Sequence, residues 1–180
     1  MFEFYLPVFL LAAFFLTDKL RAYAIKKSMM DIPNERSSHQ VSTPRGGGVA
    51  IVICFSLGVV LSAFAGFINF AIASLVFSAG ALVAVIGWQD DRGHVSARWR
   101  LLAHFIGAAM VVFCIGLPPL EVLYWQFDLG IAGDLLAVVA LVWILNLFNF
   151  MDGIDGIAGS QAVISSLIIG LLLVFEFNQQ

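Results

Sequence analysis

From Gly46 to Gln89 the chain carries no charged residue. A helix crosses the hydrocarbon core of a bilayer in about 20 apolar residues, so this run is too long for one crossing. Gly66 and Asn69 mark a tight turn inside it. The run therefore reads as two spans, about 48–66 and 69–88. Composition agrees, with 61% hydrophobic and 12% charged residues, where a soluble domain carries about 25% charged. The net charge of -3 says nothing about partners.

The remaining spans follow the same logic. The first runs from near Phe4 past Leu16 to about Ile25, and Lys19 and Arg21 sit in its last turns, where basic side chains snorkel to the interface. It lacks the basic leader and small-residue cleavage site of a signal peptide, so it is expected to be retained. The fourth covers about 101–117 and stops at Pro118-Pro119, the fifth about 131–149, and the sixth about 160–176. The expected fold class is all-α: a polytopic membrane protein with six transmembrane helices in a single domain over 1–180. Cys54 and Cys114 lie inside apolar runs and read as small packing residues.

The basic residues set the orientation. Lys19, Arg21, Lys26, Lys27, Arg36, Arg45, Arg92, Arg98 and Arg100 all fall around the segments that follow spans one and three. Glu3, Glu121, Asp128, Asp134 and Glu176 lie on the opposite side with no basic residue among them. Basic loops stay in the cytoplasm. Both termini are thus expected outside, and the loops at about 26–47, 88–100 and 150–159 inside.

Every unusual polar cluster falls in one of those three cytoplasmic loops. In "DIPNERSSHQVSTPRGGG", Pro33 and Pro44 break helix, and Gly46, Gly47 and Gly48 let backbone approach a ligand closely. Arg36, His39 and Arg45 add donors suited to phosphate. A basic loop serving topology alone, with glycines easing helix packing, explains the same residues equally well. The triple glycine is neither a Walker nor a dinucleotide-binding fingerprint.

In "GWQDDRGHVSAR", the adjacent carboxylates Asp90 and Asp91 precede Arg92, Arg98 and Arg100. An interfacial salt-bridge cluster is one explanation. A shared cation is the other, since Mg²⁺ takes hard oxygen ligands and often joins one or two carboxylates to substrate phosphates. Neighbouring residues on a helix point about 100° apart, so the two carboxylates can take different roles. In "NLFNFMDGIDGIAG", Asn146, Asn149, Asp152 and Asp155 recur every three residues, each step turning about 60° around a helix. A polar cap with a small-residue packing stripe is the plain alternative. Carboxylates at a membrane surface more often serve function.

Together "TPRGGGVAI", "GWQDDRGHVSARWRL" and "NLFNFMDGIDGIAG", in this order and on this side, resemble the polyprenyl-phosphate N-acetylhexosamine-1-phosphate transferases (glycosyltransferase family 4). "DIPNERSSHQVSTPRGGG" looks closest to the branch that initiates O-antigen. The resemblance implies a multi-pass enzyme of the bacterial inner membrane with a cytoplasmic active face. Undecaprenyl phosphate would attack the β-phosphate of a UDP-N-acetylhexosamine, releasing UMP and starting a cell-envelope polysaccharide. By the family motifs, Asp90 and Asp91 map to the catalytic acidic pair, and Asn149 with Asp91 to the Mg²⁺ site, where Mn²⁺ can substitute. Arg45, Gly46, Gly47, Asn146, Asp152 and Asp155 map to substrate binding. The partners implied are the lipid phosphate, the UDP-sugar and the membrane, with no nucleic acid; a homodimer is compatible.

One departure stands out. The family has ten or eleven spans, whereas six are expected here. A later aspartate loop and a His-rich loop are missing, and His39, His94 and His104 do not replace the latter. The 180 residues are thus expected to be the N-terminal part of such an enzyme, inactive alone. A transporter fragment would need acids paired near the midplane. A non-catalytic scaffold would leave the three loops unexplained.

Overall fold

The computed structural model describes residues 2–32, 41–93, 95–122, 125–151 and 156–177. Among them lie six helices: α1 (Phe2–Lys26), α2 (Gly48–Phe64), α3 (Phe70–Arg92), α4 (Ala97–Ile115), α5 (Gly130–Met151) and α6 (Ile157–Phe177). Three helical stretches among the described residues are long and apolar enough to cross a membrane: Phe70–Arg92, Ala97–Ile115 and Gly130–Phe150. Gly48–Phe64 and Gly159–Leu172 are shorter apolar helices. Large apolar side chains such as Phe55, Phe64, Leu135 and Trp143 stay exposed along them. That surface suits lipid, because hydrocarbon tails solvate such side chains as well as another helix does.

The turn inside the charge-free run falls where the sequence places it. α2 closes at Ala65, and Gly66 takes φ +78°, a left-handed conformation that favours glycine. Asn69 then caps α3, its side-chain oxygen accepting from the Ala71 N–H at 2.7 Å. Asp128 serves α5 in a related way, accepting from the Gly130 N–H at 2.9 Å.

Helix α3 overruns its expected end at 88 and continues through Gln89, Asp90, Asp91 and Arg92 to a stop at Gly93. α4 begins at Ala97, a turn earlier than expected. The expected loop at 88–100 is therefore a connection of a few residues between two helices. Hydropathy marks where the apolar span ends; the helix itself runs on until a residue breaks it.

Two small antiparallel strand pairs lie outside the all-α expectation. β1 (Met30–Asp31) pairs with β2 (Thr43–Pro44), with Met30 opposite Pro44. β3 (Leu120–Val122) pairs with β4 (Trp125–Phe127), with Val122 opposite Trp125. The second pair follows Pro118-Pro119 and draws on Val, Trp and Phe, residues that favour extended chain.

The chain divides into two units: 1–31 with 43–143, and 32–42 with 144–180. In the first, α1 packs on α2, α2 on α3 and α3 on α4. The α3–α4 seam is built from small residues. Ala79 and Ala103 are buried, and a side chain at Gly107 would meet the Val83 side chain at 3.4 Å and the Ala79 carbonyl at 3.5 Å. Ala108 and Val112 of α4 form a small core with Val138 and Val142 of α5. The second unit contains the last turns of α5 and all of α6.

Candidate functional site

The α2–α3 and α3–α4 turns bring the start of α2, the end of α3 and the start of α4 to one end of the first unit. The chain ahead of α2 is tied down there by the β1–β2 pair and by the Arg45 N–H, which donates to the Met29 carbonyl at 2.9 Å. Gly46 follows with φ +88°. A Cβ at this position would lie 2.9 Å from the Trp88 ring. Both the backbone angle and the ring demand glycine. Gly47 stands just ahead of α2, and a Cβ there would meet nothing within 4 Å. The close approach expected at the triple glycine is thus made by Gly46, towards an aromatic ring of this chain.

Trp88 links this segment to the acidic pair. It stands on α3 one turn before Arg92, whose guanidinium carbon lies 5.9 Å from the ring centre, within cation–π range. Asp90 and Asp91 occupy the last turn of α3, and both are half-buried. The Asp90 carboxylate reaches across the turn to α4. Its Oδ2 pairs with the Arg100 guanidinium at 2.5 Å, and its Oδ1 accepts from the Val95 N–H at 3.1 Å. The repulsion between adjacent carboxylates is offset at Asp90 by a cation and a backbone dipole. Arg98 lies exposed on the first turn of α4.

The donors here suit a hard divalent cation. Two adjacent carboxylates supply oxygens of the kind Mg²⁺ takes while keeping several waters and bridging to phosphate. Among the described residues no group of three or more His, Cys, Asp and Glu gathers into an all-protein metal cage.

The structure brings Arg45, Gly46, Asp90 and Asp91 to one end of the first unit. Asn146 (half-buried) and Asn149 (exposed) lie on the last turns of α5, in the second unit. Asp152 and Asp155 lie outside the described residues. Two neighbours of the acidic pair carry little signal in the sequence. Trp88 is betrayed only by its four-residue spacing to Arg92, which puts both on one helix face. Arg100 was one arginine among three, and no local pattern names it as the partner of Asp90.

Residues 72–180 match the family model described as glycosyl transferase family 4. The chain belongs to glycosyl transferase family 4. It is 32% identical over 179 residues to an undecaprenyl-phosphate α-N-acetylglucosaminyl 1-phosphate transferase of Escherichia coli (strain K12), covering 95% of this chain and 46% of that protein. A probable undecaprenyl-phosphate N-acetylglucosaminyl 1-phosphate transferase of Bacillus subtilis (strain 168) is also 32% identical, over 170 residues, 92% of this chain and 46% of that one. A Yersinia pestis relative is 29% identical over 175 residues, 94% of this chain and 46% of the relative. The family 4 chain thus spans about half the length of the curated relatives it matches. No solved structure matches it significantly. Its apolar helices and these relatives make it a membrane protein. The family match takes in Asp90, Asp91, Asn146 and Asn149 and starts after Arg45, Gly46 and Gly47.

Proposed function

We propose that this family 4 chain carries part of the active site of a transferase that moves N-acetylhexosamine-1-phosphate from a UDP-sugar to undecaprenyl phosphate. The lipid phosphate oxygen attacks the β-phosphorus, the bond to UMP breaks, and a lipid-linked sugar diphosphate remains. The names of the relatives favour N-acetylglucosamine as the sugar. The product would start an O-antigen-type polysaccharide in the bacterial inner membrane.

The observation that carries this reading is the half-buried Asp90–Asp91 pair, with arginines beside it, at the end of an apolar hairpin. A substrate with a polyprenyl tail and a charged head needs this junction of lipid-compatible surface and phosphate chemistry. One phosphoanhydride bond replaces another, so positioning and charge neutralisation carry much of the catalysis. Mg²⁺, when bound, would neutralise charge on the phosphates. Arg45, Arg92 and Arg98 supply further cationic donors. Asp90 or Asp91 is suited to take the proton of the lipid phosphate. Six spans, outer termini and a cytoplasmic active face accord with the distribution of basic residues.

Double labelling tests the reading. The full-length gene product in proteoliposomes is given undecaprenyl phosphate, Mg²⁺ and UDP-N-acetylglucosamine labelled separately in the sugar and in the β-phosphate. Both labels should pass into the lipid together. Transfer of the sugar label alone, with UDP as product, would contradict it.

A further inference from the structure

The β3–β4 pair between α4 and α5 is two-faced. In an antiparallel ladder, directly opposed residues share a face and successive residues alternate. The register sets Leu120 opposite Phe127, Glu121 opposite Gln126 and Val122 opposite Trp125. Leu120, Val122, Trp125 and Phe127 therefore fall on one face, and Glu121 and Gln126 on the other. The two residues that join the strands are Leu123 and Tyr124, where a tight turn in water favours glycine, asparagine or aspartate.

A hairpin of two strands is marginal in water and needs a surface to lie on. Among the described residues, β3 and β4 pack on each other and on no helix to a comparable extent. The bilayer is within reach. α4 and α5 both contain stretches long and apolar enough to cross a membrane, and only residues 116–119 and 128–129 separate those helices from the strands. Tethers of four and two residues reach at most about 14 and 7 Å. Leu117, Phe127 and Leu129 are exposed along the same stretch. The open edges of the pair limit its depth, because unpaired backbone N–H and C=O groups are costly in hydrocarbon. The polar interface satisfies them, and it is also where Trp and Tyr are favoured.

We propose that β3–β4 is an interfacial anchor: its face of Leu120, Val122, Trp125 and Phe127 lies against the lipid surface where α4 ends and α5 begins. Glu121 and Gln126 face away from the lipid. The partner is the boundary between headgroups and acyl chains, held by apolar area as other amphipathic surface elements are. This anchor stands at the end of α4 remote from Asp90 and Asp91, and it does not rest on the transferase reading.

The test is site-directed spin labelling of the full-length gene product, with its native cysteines replaced, in vesicles of phosphatidylethanolamine and phosphatidylglycerol. Single labels go at Glu121, Val122, Gln126 and Phe127. Collisions with oxygen, which concentrates in lipid, should exceed those with a water-soluble nickel chelate at Val122 and Phe127. The order should reverse at Glu121 and Gln126. Nickel-dominated collisions at all four positions would put the hairpin in water and overturn the proposal. Exclusion of both reagents at Val122 and Phe127 would overturn it too, by showing that protein covers the face, from this chain or a second copy. Should labelled variants fail to fold, unmodified protein decides. A phospholipid with a diazirine near its headgroup should crosslink within residues 120–127, mapped by mass spectrometry. Crosslinks confined to the helices would contradict the proposal.

Discussion

At the scale of single residues, the site end of the first unit is held by specific contacts and not by bulk apolar packing. Gly46 is the sharpest example. Its φ of +88° costs an L-residue about 1–2 kcal/mol, and a Cβ 2.9 Å from the Trp88 ring would force the ring to move. Gly46→Ala should therefore lower stability by about 1–3 kcal/mol, within the range of strain at special backbone positions. Thermal unfolding in detergent reads the loss, and a changed Trp88 emission reads the ring shift. An unchanged melting temperature would show that the turn adapts freely. Gly46, Asp90 and Asp91 were recognisable as unusual from sequence, because charge and triple glycine are rare beside long apolar runs. Their partners were not, since the contacts of Gly46 with Trp88 and of Asp90 with Arg100 are made by folding the chain back.

At the scale of elements, the turn of the α2–α3 hairpin was legible because a left-handed glycine and a capping asparagine are local devices. Asn69→Ala removes the bond to the Ala71 N–H and should cost about 1 kcal/mol, read by thermal unfolding. Helix ends at the membrane surface were less legible, since apolar patterning reports the bilayer and not the backbone. The overrun of α3 places Asp90 and Asp91 on a helix turn in place of the expected loop. The short strand pairs were illegible for another reason, as pairs of two or three residues leave no period to detect. The α3–α4 seam depends on small side chains, so Gly107→Leu should wedge the helices apart. Overpacking of this kind costs about 1–3 kcal/mol, and it should also disturb the Asp90–Arg100 clasp that spans the same two helices. Unaltered stability in Gly107→Leu would place the seam elsewhere.

At the scale of the whole molecule, apolar helices suited to a membrane carry the polar Asp90–Asp91 pair at the end of α3. The distribution of basic residues predicts on which surface that pair lies. With Cys54 and Cys114 replaced, a single cysteine at Ser96 should react with a membrane-impermeant maleimide only after the cells are opened. A cysteine at Ala65, in the α2–α3 turn, should react on intact cells. The reverse pattern would put the acidic pair on the wrong side for a cytoplasmic nucleotide sugar. The most direct measurement of the central claim is Mg²⁺-dependent release of UMP from UDP-N-acetylglucosamine by the full-length gene product on addition of undecaprenyl phosphate. Release should stop with EDTA and fall about 10²-fold or more in Asp91→Asn. Release that continues undiminished in Asp90→Asn and Asp91→Asn would contradict it.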